Sequence, residues 1–231
     1  MHYGNIQIGV FIKRLTRFTA EVKINGLAEL CHIKNTGRLK ELLIPGAEVY
    51  LAQAENRSRS TKYDLVAVRK GKRLINIDSS SPNRAVGEFL QQGGLLHNGL
   101  HDDIIHIKPE VHYEGSRFDF YIESNSQKAF VEVKGVTLEK NGIAMFPDAP
   151  TERGIKHLME LAQSKSDGYE AYIIFVIQME GVSQFTPNRK THPEFATALA
   201  DAIAAGVNVL AFDCVVTADS IVINKQVPIK L

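Results

Sequence analysis

The chain has 231 residues, 44% of them hydrophobic, enough to bury one large core or two modest ones. No run approaches the roughly 18 consecutive apolar residues of a membrane span, and Met1 to Val10 lacks a basic start followed by an apolar signal core, so a cytoplasmic protein with no membrane partner is expected. A net charge of +1 conceals a division: residues 1–84 hold 15 Lys and Arg against 7 Asp and Glu, or +8, whereas the remainder holds 12 against 19, or −7, which suits a polyanion at one end and a bound cation at the other.

In chain order, apolar and polar residues alternate over Ile6 to Ile12 and Phe18 to Ile24, the period of strands with one buried face. Asn25-Gly26 is a hairpin turn signal, because both residues tolerate positive φ. Further strands are expected at Glu48 to Ala54, Tyr63 to Arg69 and Leu74 to Asp78, with turns at Pro45-Gly46 and Lys70-Gly71. Five or so short strands in about 80 residues fit a small closed barrel such as an OB-fold. Ser79 to Asn83 interrupts the apolar pattern and divides the chain into a barrel over 1–82 and a second unit over 83–231.

That second unit opens with a helix at Ala85 to Gln92, stopped by Gly93-Gly94. Strands follow at Ile104 to Lys108, Arg117 to Glu123 and Ala129 to Val136, then a helix from Thr151 to about Ser164 and a buried run from Ala171 to Gln178. A helix from Pro193 to Ala205 and a strand from Val207 to Phe212 complete a mixed α/β core. Cys31 and Cys214 lack the spacing of a zinc ribbon or a disulfide framework and read as small apolar side chains.

Two of these strands carry chemistry. In Ser116-Arg117-Phe118-Asp119-Phe120-Tyr121, Phe118 and Phe120 share one face and Asp119 takes the other. In Phe130-Val131-Glu132-Val133-Lys134, Glu132 and Lys134 share a face. Paired as a hairpin, the strands would bring two carboxylates and an ammonium to one surface, the set that phosphodiester hydrolysis requires. Asp119, Glu132 and the backbone carbonyl of Val133 would hold Mg²⁺ or Mn²⁺, and Lys134 would sit at the attacking water. A cross-strand salt bridge of Lys134 is the plainer alternative.

Flanking residues extend the pattern. Glu88, in the preceding helix, could add an acidic ligand. Thr151 N-caps a helix that buries Ile155, Leu158 and Leu161 and presents Arg153, Lys156 and His157 as phosphate donors. His97 and His101 have the spacing of a helical metal pair, but Asn98-Gly99 between them argues against a helix. In the first unit Arg57, Arg59, Lys62, Arg69, Lys70, Lys72 and Arg73 form a basic cluster able to contact phosphates without reading bases, with Tyr50, Tyr63 or Phe18 as stacking surfaces.

The chain resembles the sugar fermentation stimulation protein family. The matching words are Asn35-Thr36-Gly37, Pro45-Gly46, Ser116 to Phe120, Glu132 to Leu138, and Phe146 to Leu158, in order along most of the chain. The resemblance implies an N-terminal OB-fold, a restriction-endonuclease-like PD-(D/E)xK domain, and sequence-nonspecific DNA binding linked to regulation of maltose metabolism. It supports Asp119, Glu132 and Lys134 as the nuclease-type triad. Three functions follow as expectations: a metal-dependent DNA nuclease, a DNA-binding regulator that uses the nuclease-like core as scaffold, or a carbohydrate-binding barrel.

Overall fold

The computed structural model describes residues 1–231 apart from Glu55, Arg57 and His97. β1 (Ile6–Arg14), β2 (Thr19–Ile24), β3 (Leu27–Ile33), β4 (Glu48–Gln53), β5 (Tyr63–Lys70) and β6 (Arg73–Asn76) form one sheet, and β3 also pairs in parallel with β5. That extra pairing closes β1-β2-β3-β5-β4 into a five-stranded barrel of OB type, with β6 appended to β5. One strand must serve two neighbours: β1 pairs with β4 through Ile6–Val10 and with β2 through Val10–Arg14. A bulge between Phe11 and Lys13 lets it bend. So does Gly9, where a β-carbon would meet both the Leu51 side chain and the Lys23 carbonyl at 3.0 Å.

The Asn25-Gly26 turn has φ of +48° and +87°, as its residue types demand. Its partner β3 is the one barrel strand that periodicity alone does not announce, because Leu27-Ala28 and Leu30-Cys31 set apolar side chains on both faces. The barrel interior is filled by Val22, Ile33, Leu51, Leu65, Val68 and Ile75, each no more than 1% exposed. Burial of one such side chain stabilises by roughly 1.5–3 kcal/mol. This compact unit comprises Met1–Ser81 together with Gln178–Glu180 and Cys214–Val222. Within it, the buried Gln178 amide donates to Asn76 Oδ1 at 2.9 Å, and the N-terminal ammonium donates to the Ile221 carbonyl at 3.0 Å.

The second unit comprises Pro82–Ile177, Gly181–Asp213 and Ile223–Leu231. In chain order the elements are α1 (Ser81–Gln91), β7 (Ile104–Tyr113), β8 (Ser116–Ser124), β9 (Lys128–Val136), β10 (Leu138–Lys140), β11 (Ile143–Phe146), α2 (Glu152–Ser166), β12 (Glu170–Ile177), β13 (Gln184–Pro187), α3 (Pro193–Ala204), β14 (Asn208–Val216) and β15 (Ile221–Gln226). The principal sheet is mixed, in the order β15-β14-β12-β9-β8-β7. β12 runs parallel to both β9 and β14, which explains its unbroken apolar sequence, since a central parallel strand is covered on both faces. β10, β11 and β13 make a small second sheet whose strands, three or four residues long, are too short to show a period.

Three boundaries move by four residues or more, β14 among them, since it runs to Val216 and not to Phe212. α1 begins at Ser81, four residues before the expected start. β7 runs five residues past Lys108, through Pro109. A proline is tolerated there because β7 is the edge strand and needs no ladder donor on its open side, and Glu110 absorbs the irregularity at φ +56°. Cys31 and Cys214 are buried thiols outside any disulfide, as small apolar side chains should be. Among the described residues, no helix is long and apolar enough to cross a membrane.

Candidate functional site

β8 alternates in burial along its whole length, with Phe118, Phe120 and Ile122 inward and Asp119 on the other face. Its antiparallel ladder to β9 pairs Phe120 with Val131 and Tyr121 with Phe130. At the next residue the Asp119 side chain takes over the role of acceptor: its Oδ2 receives the Val133 backbone N–H at 2.7 Å. The two aromatics either side of it therefore meet different helices. Phe120 lies against Gly87 of α1, whereas Phe118 stands edge-on to His157 of α2.

Around this fork the expected triad converges. Glu132 is 3% exposed, and its Oε1 accepts both from Lys134 Nζ at 2.5 Å and from His157 Nδ1. Arg153 Nε donates to the other ring nitrogen of His157 at 3.2 Å, which assigns the ring proton to Nδ1 and makes Arg153, His157 and Glu132 one directed chain. Glu132 Oε2 is buried and has no hydrogen-bond partner. A carboxylate oxygen held dry and unpaired among the described residues is costly unless a ligand completes it, so this is the oxygen available to a hard cation.

The electrostatics agree with the geometry. Burial, and then the neighbouring charge of Glu132, push the Asp119 carboxyl up to about 6, against the opposing hydrogen bonds from Val133 and Asn83. Burial acts on Glu132 in the same direction, but the His157 hydrogen bond and the Lys134 charge outweigh it and hold Glu132 below the usual carboxylate range. Two adjacent carboxyls are thus driven apart in acidity, a pattern typical of functional sites. Oxygen donors of this kind fit a hard divalent cation such as Mg²⁺.

Sequence reasoning missed Asn83, whose amide donates to Asp119 Oδ1 at 2.6 Å from the first turn of α1. The only signal was its place beside the helix cap. Glu88, expected from the same helix, is exposed and lies five residues on, about 140° around the axis from Asn83. Among the described residues no group of three His, Cys, Asp or Glu side chains is placed to hold a metal ion, so neither Glu88 nor a histidine pair enlarges the centre. His97 lies outside the described residues, and α1 has ended before His101.

On α2 the Thr151 hydroxyl accepts from Gly154 N–H at 3.1 Å, as a cap should. The buried stripe is Gly154, His157, Leu158, Leu161 and Ser164, with Ile155 only half-buried. His157 therefore does not project with Arg153 and Lys156 but points inward onto Glu132. Arg153 and Lys156 are exposed, and Lys156 Nζ donates to the Gly115 carbonyl at 2.7 Å.

The expected basic cluster of the barrel is substantially neutralised. Arg59 binds Asp64 at 2.8 Å, Lys62 lies 3.6 Å from Glu29, and Arg69 reaches Glu48 at 2.7 Å and Tyr50 Oη at 2.5 Å. Lys70, Lys72 and Arg73 surround the turn at Gly71, which has φ +59°, and Lys72 is exposed. Arg57 lies outside the described residues. Of the aromatics, Tyr50 is buried, Tyr63 is half-buried and Phe18 is 44% exposed.

Comparison with known proteins accounts for both units. Residues 12–77 match the family model of the SfsA N-terminal OB domain, and residues 80–220 match that of the sugar fermentation stimulation protein RE domain. A sugar fermentation stimulation protein homolog of Ruminiclostridium cellulolyticum is 54% identical over 231 residues, covering 100% of each chain. The homolog of Clostridium botulinum strain Hall is 47% identical over 228 residues, covering 98% of each. A solved structure of Pyrococcus furiosus SfsA in complex with Ca²⁺ superimposes with a TM-score of 0.88 at 30% identity, over 100% of this chain and 98% of that one. An OB-type barrel followed by this mixed sheet, matched along the whole length, places the chain in the sugar fermentation stimulation protein family.

Proposed function

We propose that this chain binds DNA without sequence preference and hydrolyses phosphodiester bonds at the Asp119, Glu132 and Lys134 centre with a divalent cation, Mg²⁺ or Mn²⁺. The observation that carries the reading is the buried, unpartnered Oε2 of Glu132 beside a second carboxyl and a lysine. Asp119, Glu132 and the backbone carbonyl of Val133 would hold the cation, which when bound neutralises charge developing on the phosphate. Lys134, donating to Glu132, would orient the attacking water, whose proton would leave to a phosphate oxygen of the substrate. His157, itself held by Arg153, fixes one oxygen of Glu132 so that the other stays available. The exposed Arg153 and Lys156 would steer a phosphate toward the same end of α2. That the Pyrococcus furiosus relative was solved with Ca²⁺, an oxygen-seeking cation, supports a hard-cation site here.

The test is incubation of the pure protein with single-stranded, duplex and branched DNA in Mg²⁺ or Mn²⁺. Products from the wild type and none from Asp119→Asn are expected; equal products from both would defeat the proposal. One observation favours a second reading, in which DNA is held but not cut. Both Asp119 oxygens already accept hydrogen bonds and Lys134 is bound to Glu132, leaving no evident side chain to take a proton from water. Under that reading no metal supports cleavage, and salt-sensitive binding survives in Asp119→Asn.

A further inference from the structure

The barrel carries a groove that the basic cluster at residues 57–73 does not include. Its walls are the β1–β2 connection and the segment after β3, and it encloses about 620 Å³ lined by Arg14, Arg17, Arg38 and Lys40, with no acidic residue among the lining side chains. Arg14 builds it. The guanidinium has five N–H donors, and all five are taken by backbone carbonyls: Thr16 from Nε at 3.2 Å, Gly37 and Arg38 from Nη1 at 2.8 Å each, and Arg17 at 2.5 Å and Asn35 at 3.1 Å from Nη2. One side chain thereby ties both walls together without a carboxylate to cancel its charge. Arg17, Arg38 and Lys40 are exposed, and none of them is paired with a carboxylate among the described residues.

Beside the groove stands Phe18, 44% exposed, which stacks on His32 with ring centroids 6.2 Å apart and planes 28° from parallel. The Arg17 guanidinium lies 5.6 Å from the centroid of the same ring. The Phe18 backbone is fixed at both ends, its N–H donating to Thr16 Oγ1 at 3.2 Å and its carbonyl accepting from Ile33 at 2.8 Å. A rigid aromatic face beside uncompensated cations is the combination that engages a strand whose bases are unpaired, through stacking and phosphate neutralisation together.

We propose that this groove is the barrel's binding site for single-stranded nucleic acid, with Arg17, Arg38 and Lys40 on the phosphates and Phe18 under a base. The inference rests on the DNA-binding reading above and gives it a substrate class and a location. A duplex would hide the base faces that Phe18 is placed to meet. Burial, and then the charge of Arg17, already hold Arg14 below the usual arginine value, so an anion in the groove would relieve a repulsion that the fold leaves standing.

Fluorescence anisotropy of labelled oligothymidylate and of a labelled duplex, titrated with the full chain at several salt concentrations, tests this. Arg38→Ala/Lys40→Ala is expected to weaken oligothymidylate binding roughly tenfold and to flatten the salt slope by about 1.4, since each of the two phosphates neutralised on a single strand contributes about 0.7. Phe18→Ala should weaken it by a similar factor with the slope unchanged. Should Phe18→Ala lower the melting temperature, Phe18→Leu keeps an apolar contact on His32 while removing the ring. Arg189→Ala/Lys190→Ala removes the same charge from an exposed stretch of the second unit and should leave binding close to wild type. If the wild type binds but the groove variants behave like that control, or lose duplex binding alone, the groove proposal is overturned and the DNA-binding reading stands. If the wild type binds neither probe, both fall.

Discussion

The groove on the barrel gathers cations without a carboxylate, whereas the centre on the mixed sheet sets two carboxyls beside Lys134, and the two places differ in what surrounds the charge. Arg17, Arg38 and Lys40 stand in water, where salt screens their repulsion within about 8–10 Å, and only Arg14 is drawn inward, onto carbonyls. Glu132 is buried and Asp119 half-buried beside it, so partial burial and the charge of Glu132 appear together as a raised Asp119. An exposed cluster suits a long polyanion that can slide and exchange. A buried pair suits one small cation at a fixed point. The two places thus differ in burial and not in charge alone.

The largest effect expected from breaking this contrast is at Glu132. Glu132→Ala removes the common partner of Lys134, whose side chain is 14% exposed, and of the buried His157, leaving polar groups stranded in the interior. A loss of roughly 3–5 kcal/mol in urea unfolding is expected, together with loss of any cleavage. A loss below about 1 kcal/mol would show that the centre is wetter than its burial indicates.

Asp119→Asn should change how stability depends on pH. The folded pKa of about 6 lies above the ordinary value near 3.8, so the native state favours the neutral acid. The stability this gives is complete below about pH 4 and is lost as pH rises through about 6. At pH 7 the wild type therefore carries a destabilisation of about 2–3 kcal/mol that is absent from the uncharged amide, although the amide nitrogen gives up one of the two hydrogen bonds from Asn83 and Val133, at a fixed cost of about 1–3 kcal/mol at every pH. The stability of Asp119→Asn relative to the wild type should therefore rise by about 2–3 kcal/mol between pH 4 and pH 7, whatever its offset at pH 4. Added Ca²⁺ or Mg²⁺ should raise the melting temperature of the wild type only. Equal rises in both proteins would remove Asp119 from the metal site.

The paired cations of the barrel sharpen the comparison from the other side. Burial alone would raise Asp64, but hydrogen bonds from Arg59 and Lys34 outweigh it and hold it below the usual carboxylate range. Its contribution is present above the ordinary value near 3.8 and is lost as pH falls from there through the lower folded value, so Asp64→Asn should cost about 1–3 kcal/mol at pH 7 and progressively less as pH falls below the ordinary value. Smaller still, Glu48→Ala breaks an exposed pair with Arg69 and should change stability by no more than about 1 kcal/mol. If Glu48→Ala costs as much as Asp64→Asn, exposure is not what separates these pairs.

Much of the architecture was legible because it rests on local rules. Alternation located β1, β2, β8 and β9, Asn25-Gly26 located a hairpin, and Thr151 located the start of α2. The strand period also set Glu132 and Lys134 on one face before any fold was known. What escaped had no local signature. Asn83 is an ordinary helix residue until β8 brings Asp119 to it. His157 looked like an exposed donor, since its spacing from Arg153 is the same whether the shared face meets solvent or Glu132. The groove cations lie in two segments on either side of β2 and β3, while the denser run at 57–73 drew notice and proved to be partly paired.

By itself, then, the order of residues determined the strand faces, the turns, the helix cap and the family words, because each depends on neighbours within a few positions. Only the tertiary structure decided which charges are compensated. Asp64 finds Lys34 and Arg59, Glu132 finds His157, and Arg14 finds five carbonyls, through packing between segments up to about 30 residues apart. A charge's partner and its access to water are properties of three-dimensional proximity, and those two quantities separate a solvated face from a site.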